Sequence, residues 1–308
     1  MIRSPFPAAV LVALAVGTAA AARDPNPEVV SLDQRVSKLE AEVAALRAEL
    51  AALRKDAGTR KPAPLRITVV PGGWGAAGAD DVAAVCRSAA GELYRFMPDG
   101  VPDAMTVRHD AKAGPMVVFG TGAAGERRVL LSATETFWSQ YAYQFAHEFC
   151  HVAANYAEGD RSNLWFEEAL CEAASLFALR RMGETWRTAP PYPNWKAYAP
   201  SLTEYAETTA ADIEPLDGLS VADWYKRAEP ALRAKPHDRR KNRVAAVAVL
   251  ARLDAEPAHW NAVAYLNKWD KRKELSFRDY LRDWHAHVPA AHKGFVADVA
   301  KTFGMKLD

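Results

Sequence analysis

Two histidines separated by three residues, with a glutamate directly after the first, are the part of this 308-residue chain best equipped for chemistry: His147-Glu148-Phe149-Cys150-His151. Residues i and i+4 of a helix stand one turn apart on one face, so the two imidazoles can grip a single metal ion. Glu148 projects toward the same cavity, where a carboxylate can hold and deprotonate a water on that ion. Eight histidines and nineteen glutamates in the chain would produce this pattern by accident only about once in eighty such sequences. The surroundings favour a real site. Phe137, Tyr141, Phe145, Phe149 and Val152 supply an apolar face, while Gln140, Gln144, His147, Glu148, His151 and Asn155 form a polar stripe beside it. Charged groups in so apolar a helix need something to compensate their burial.

An ion held by two imidazoles needs a third protein ligand if one position is to stay open for water. The next helical segment begins near Ser162-Asn163 and continues Trp165-Phe166-Glu167-Glu168-Ala169-Leu170-Cys171-Glu172. From His147 to Glu172 the chain resembles the gluzincin metallopeptidases, the thermolysin- and aminopeptidase-like (peptidase MA-like) HExxH zinc enzymes. Their second active-site helix often begins Trp-x-x-Glu-Gly-x-x-Glu; here Ala169 stands where Gly is usual. The resemblance implies Zn2+ held by His147, His151 and Glu168, with Glu148 as general base and Glu172 orienting the His147 imidazole. Helix geometry agrees, because Glu167 and Glu168 point about 100° apart and only one can face the ion. Glu168 has Glu172 four residues on, whereas Glu167 has Cys171. Gluzincins also stabilise the oxyanion with a Tyr or His from the C-terminal side. His237, Arg240, Tyr205 and Tyr225 are the candidates here, and no spacing selects among them. Extended substrate lies along the edge strand of a zincin sheet, a part that Arg128-Val129-Leu130-Leu131-Ser132 would play.

Several elements must hold these groups in place. Ile67 to Val70, Met105 to Arg108, Met116 to Phe119 and Arg128 to Leu131 read as strands, and Asp80 to Phe96 as a helix with Val82, Val85, Ala89, Leu93 and Phe96 on one face. The metal-ligand motif falls on a helix from Phe137 to Asn155. The order β-α-β-β-β-α predicts an α+β layer with one small sheet; the resemblance implies a zincin-like small mixed sheet plus active-site helices and a helical C-terminal subdomain from about residue 183. Gly183 to Lys241 is rich in proline and carries Trp186, Tyr192, Trp195, Tyr198, Tyr205, Trp224 and Tyr225; it reads as an ordered irregular wall or lid over the cleft. Val244 to Leu253, Trp260 to Trp269 and Phe277 to Trp284 read as helices, with His285 and His287 on the surface. Three cysteines exclude a disulfide-dense scaffold and a four-cysteine zinc cluster. In an oxidising compartment Cys150 and Cys171 are the pair to bridge, leaving Cys86 free; three buried free thiols are the alternative.

The N-terminal 22 residues have the grammar of a cleavable signal peptide: Arg3, an apolar run from Ala8 to Val16, and Ala20-Ala21-Ala22 before a charged start. The expected location is secreted or periplasmic, with no transmembrane span in the mature chain. Thirty-nine basic against 38 acidic residues leave a net charge of +1, which offers no field for nucleic acid. Val29, Leu32, Val36, Leu39, Val43, Leu46, Leu50 and Leu53 alternate spacings of three and four, an a/d heptad seam. Across a parallel pair Arg35 faces Glu40, Glu42 faces Arg47 and Glu49 faces Arg54, with Glu28 against Asp33 the one repulsive contact. A coiled coil over 28–56, associating as a homodimer or trimer through 29–53, is followed by a Gly/Pro linker over 57–66 and a zincin-like domain over 67–308. The expected function is hydrolysis of peptide or protein substrates by an exported zinc peptidase. A catalytically silent peptide-binding module tethered by the coil, or a cell-wall peptide amidase, are the alternatives. The mature chain should therefore be a dimer or trimer by light scattering and a chain beginning at Leu65 a monomer; equal particle masses relative to chain mass would contradict the coil.

Overall fold

The computed structural model describes residues 34–45, 65–100, 104–156, 161–269 and 274–307, and the chain divides into two units, Met1–Lys61 and Pro62–Asp308. The signal peptide, the heptad positions Val29, Leu32, Leu46, Leu50 and Leu53, and most of the linker lie outside the described residues. In the first unit, residues 34–45 form helix α1. Val36, Leu39 and Val43, three and four apart, share one of its faces and are 48%, 60% and 44% exposed. Among the described residues no helix is long and apolar enough to cross a membrane.

The second unit is α+β with a small mixed sheet. β1 (Arg66–Val69), α2 (Ala79–Tyr94), β2 (Ala104–His109), β3 (Met116–Val118) and β4 (Arg127–Leu131) precede α3 (Trp138–Ala153) and α4 (Leu164–Thr185). The sheet order is β1-β2-β4-β3. β1, β2 and β4 run parallel, and β3 lies antiparallel on β4 with Met116 opposite Leu130 and Val118 opposite Arg128. Ile67, Met105, Val107, Val129 and Leu131 turn inward and share the core with Val82, Val85, Ala89 and Leu93 of α2. Asp80 and Asp81 sit in the first turn of α2, where the helix dipole favours negative charge. The strand around Arg128 is therefore interior, and the edge strands of the sheet are β1 and β3. The physical reason is that the β4 backbone pairs with β2 on one side and with the short β3 on the other, while Val129 and Leu131 bury in the core.

α4 is the central helix. Apolar and small residues surround it on nearly every side, as expected of a helix buried all round, and it packs against α2, α3, α5 and α7. Asn155, two residues beyond the end of α3, adopts φ +58°, a left-handed conformation that Asn tolerates at helix ends. Its side chain donates to the Ala264 and Leu266 carbonyls at 2.9 Å each, tying the motif helix to the C-terminal region.

That region is more helical than its prolines suggest. A 3-10 helix (Pro193–Tyr198) leads into α5 (Ala199–Ala211), then α6 (Val221–Ala234), α7 (Arg239–Ala255), a second 3-10 helix (Pro257–Tyr265), α8 (Phe277–His287) and α9 (Ala290–Thr302). Pro193, Pro200 and Pro257 occupy first-turn positions, where no backbone N–H is required. The expected irregular lid over 183–241 is thus corrected. Trp186, Trp224 and Tyr225 are core residues, and Trp195 stacks between Trp138 and Trp186. The segment from Trp260 is a 3-10 helix through Tyr265 rather than an α-helix. Cys86, Cys150 and Cys171 are free and buried, so the Cys150–Cys171 bridge is not formed.

Candidate metal centre

α3 and α4 bring the motif residues together. His147 and His151 lie one turn apart with ring centroids separated by 5.0 Å. Their Nε2 atoms both face Glu168: Oε2 is 3.2 Å from His147 and Oε1 is 3.5 Å from His151. Their Nδ1 atoms face other carboxylates of α4. His151 meets Glu167 at 2.7 Å, and His147 has Glu172 at 4.0 Å. A carboxylate at Nδ1 fixes the tautomer that leaves the Nε2 lone pair free for a metal. His147, His151 and Cys171 also present ligand atoms within 4.8 Å of one another, a cluster that could hold a metal ion.

These carboxylates are anchored in turn. Glu167 accepts from Asn267 Nδ2 at 2.8 Å, and Asn267 accepts from the Tyr280 hydroxyl at 3.0 Å. Glu172, almost fully buried, accepts from the Tyr143 hydroxyl and from Arg243 Nε. Arg243 reaches on to Asp212 at 2.6 Å. Gln144 accepts from the backbone of Ser132 and Ala133 at 3.0 and 3.1 Å, joining the end of β4 to α3.

A cleft of about 470 Å³ opens on the two histidines. Pro115, Met116, Val117 and Phe119 form the β3 wall; Glu148, Glu168 and Glu172 contribute carboxylates; Tyr156, Arg161, His237, Arg239 and Asn242 stand around it. Glu148 is 3% exposed. Burial raises its pKa against the opposing pull of His147 and His151, and the Val117 backbone N–H reaches its carboxylate. Burial lowers the pKa of His151, but its bonds to Glu167 and Glu168 outweigh that and raise it well above 6.5. Burial works against ionised Glu168, yet bonds from His147, His151 and His237 hold it below the usual carboxylate range.

The four oxyanion candidates separate cleanly. His237 Nδ1 lies 3.1 Å from Glu168 Oε1. Its loop is held by Asn242 Nδ2 donating to the Pro236 carbonyl at 2.7 Å and by Asp238 capping α7. Arg240 turns away to Asp212 and the Ile213 carbonyl. Tyr205 packs edge-on against Tyr143, and Tyr225 stacks on Trp165. None of these three lines the cleft.

Tyr143 and Arg243 are site residues that the sequence reading did not name, while Glu167 entered it only as the rival of Glu168 and Cys171 only as a disulfide partner. Glu167 had a usable signal: Nδ1 of a metal-binding histidine needs its own acceptor, and a carboxylate one position before Glu168 is close enough to supply it. Arg243 and Tyr143 meet Glu172 across 71 and 29 residues of chain, and no local pattern announces such pairs. Comparison with protein-family models, with curated proteins and with solved structures returns no match to this chain.

These groups set a pH dependence. A histidine raised in the folded state contributes stability that is complete below its unfolded pKa and lost as pH rises through the folded value. The melting temperature of metal-stripped protein should therefore fall as pH climbs above 6.5 through the raised His151 value. Affinity for a divalent metal should rise over the same interval, because the metal must displace that proton. Metal-free stability that stays flat or increases there would contradict the assignment of the His151 partners.

Proposed function

We propose that the chain is an exported zinc-dependent peptidase of gluzincin type, with His147, His151 and Glu168 holding the ion and Glu148 as general base. One observation carries this reading: a single carboxylate meets both imidazole Nε2 atoms, at 3.2 and 3.5 Å. Ligand atoms about 2.1 Å from a tetrahedral zinc stand about 3.4 Å from one another, so the donor set fits the ion. Cys171 is the weaker third donor. Its thiol is fully buried, and burial together with a hydrogen bond to Cys150 holds its pKa well above the ordinary value. Glu168 is held below the usual carboxylate range by its bonds to the imidazoles and is aimed between the two rings.

Zinc bound there would lower the pKa of a water to about 7 and polarise a scissile carbonyl. Glu148, whose burial raises its proton affinity, takes the proton of the attacking water and returns it to the leaving amine. His237, the one candidate that lines the cleft beside Glu168, donates to the developing oxyanion. The outer edge of β3 aligns extended peptide backbone by strand addition, in the role first expected of the strand at Arg128. Glu167 and Glu172 keep the imidazoles in register. The exposed apolar face of α1 is consistent with a homodimer or trimer built on a parallel coil, and the N-terminal 22 residues with export to a periplasmic or extracellular space.

A silent binding module and a cell-wall peptide amidase share this site, and one experiment separates turnover from binding. Metal analysis is combined with a peptide-library digest of wild type and Glu148→Gln. Both proteins should carry one zinc per chain, and the variant should cleave at least about 100-fold more slowly. Zinc in the wild type without cleavage of any peptide would sink the peptidase reading in favour of the binding module.

A further inference from the structure

Two solvent-exposed arginines on the wall of the cleft form no ion pair among the described residues. Arg161, just before α4, and Arg239, the first residue of α7, both line it. Their basic neighbours are matched: Arg240 with Asp212 at 3.3 Å, Lys241 with Glu214 at 2.7 Å, and Arg243 with Glu172 and Asp212. Among the described residues neither Arg161 nor Arg239 makes an ion pair or a side-chain hydrogen bond. The cleft carboxylates do not call for them either. Glu168 serves three imidazoles, Glu172 is taken by Arg243 and Tyr143, and Glu148 is buried beside the Val117 N–H. The first turn of α7 also holds three cations, which the helix dipole disfavours, with the capping carboxylate of Asp238 beside them. Arg240 and Lys241 are held in ion pairs, whereas exposed Arg239 is left to face the cleft.

We propose that Arg161 and Arg239 are specificity determinants that bind a carboxylate of the substrate, so that the cleft selects peptides carrying an acidic group close to the scissile bond. A guanidinium offers a carboxylate two parallel hydrogen bonds, which gives direction as well as charge. The carboxylate can come from a peptide C-terminus or from an Asp or Glu side chain. The proposal rests on the peptidase reading and names the substrate class of that same cleft.

Binding without turnover tests it. Zinc-loaded Glu148→Gln protein is titrated with three fluorescent probes: dansyl-Ala-Ala-Phe-Ala-Ala as the free acid, the same peptide as its C-terminal amide, and dansyl-Ala-Ala-Phe-Ala-Glu as the amide. At least one acidic probe should bind about 10-fold more tightly than the neutral amide, and which one does identifies the source of the carboxylate. Adding Arg161→Gln and Arg239→Gln should shrink that advantage to within about twofold while the zinc content stays the same. Neutral and acidic probes binding within about twofold of one another, or an advantage that survives the double substitution, would overturn the proposal and leave the peptidase reading intact. No binding of any probe would overturn both.

Discussion

Imidazoles and carboxylates cannot be buried between two apolar helices unless each finds a partner, and this requirement governs how α3 and α4 face one another. Leaving one member of a buried charged set unpaired costs about 3–5 kcal/mol, a large share of the stability of an ordinary domain. His151 meets Glu167 with one ring nitrogen and Glu168 with the other, and His147 meets Glu168 while Glu172 stands behind it. Rotating either helix by one residue would break these contacts together. The same pairing that satisfies burial turns both Nε2 atoms toward a single carboxylate, so the geometry of the candidate metal site follows from the electrostatics of the helix interface.

The constraint spreads outward from there. Glu172 draws Arg243 and therefore α7 against α4, and the start of α7 carries the loop that sets His237 on Glu168. Glu167 draws Asn267, and through it Tyr280 of α8. Asn155 joins the end of α3 to the backbone that follows the second 3-10 helix. On the other side, Gln144 fixes the end of β4, whose pairing with β3 places Val117 beside Glu148. The C-terminal helices act as the outer support of the site rather than as a lid, which accounts for the burial of their aromatic residues in the core.

Much of the first half was legible because its signals are local. Short β-branched runs and the apolar period of α2 mark their own elements, and a His-Glu-x-x-His pattern states its own spacing. What stayed hidden depends on long-range pairing. β3 is three residues long, and nothing within Met116–Val118 says that it, rather than β4, ends the sheet. Tyr205, Tyr225, Arg240 and His237 look equally suited in sequence, and only the packing of α5, α6 and α7 sends the first three elsewhere. Proline in Gly183 to Lys241 argued for irregular structure, yet proline in a first turn is compatible with helix. Glu167 was set aside by treating the helix as having one useful face, whereas a histidine has two nitrogens and asks for a partner on each.

The account stands on the ligand set, and X-ray absorption at the zinc edge of the metal-loaded protein reads that set directly. Two imidazole nitrogens with oxygen donors at about 2.0–2.2 Å and no sulfur is the expected spectrum, with Glu168 as the third protein ligand. A sulfur scatterer at about 2.3 Å would place Cys171 on the metal and contradict the assignment of Glu168.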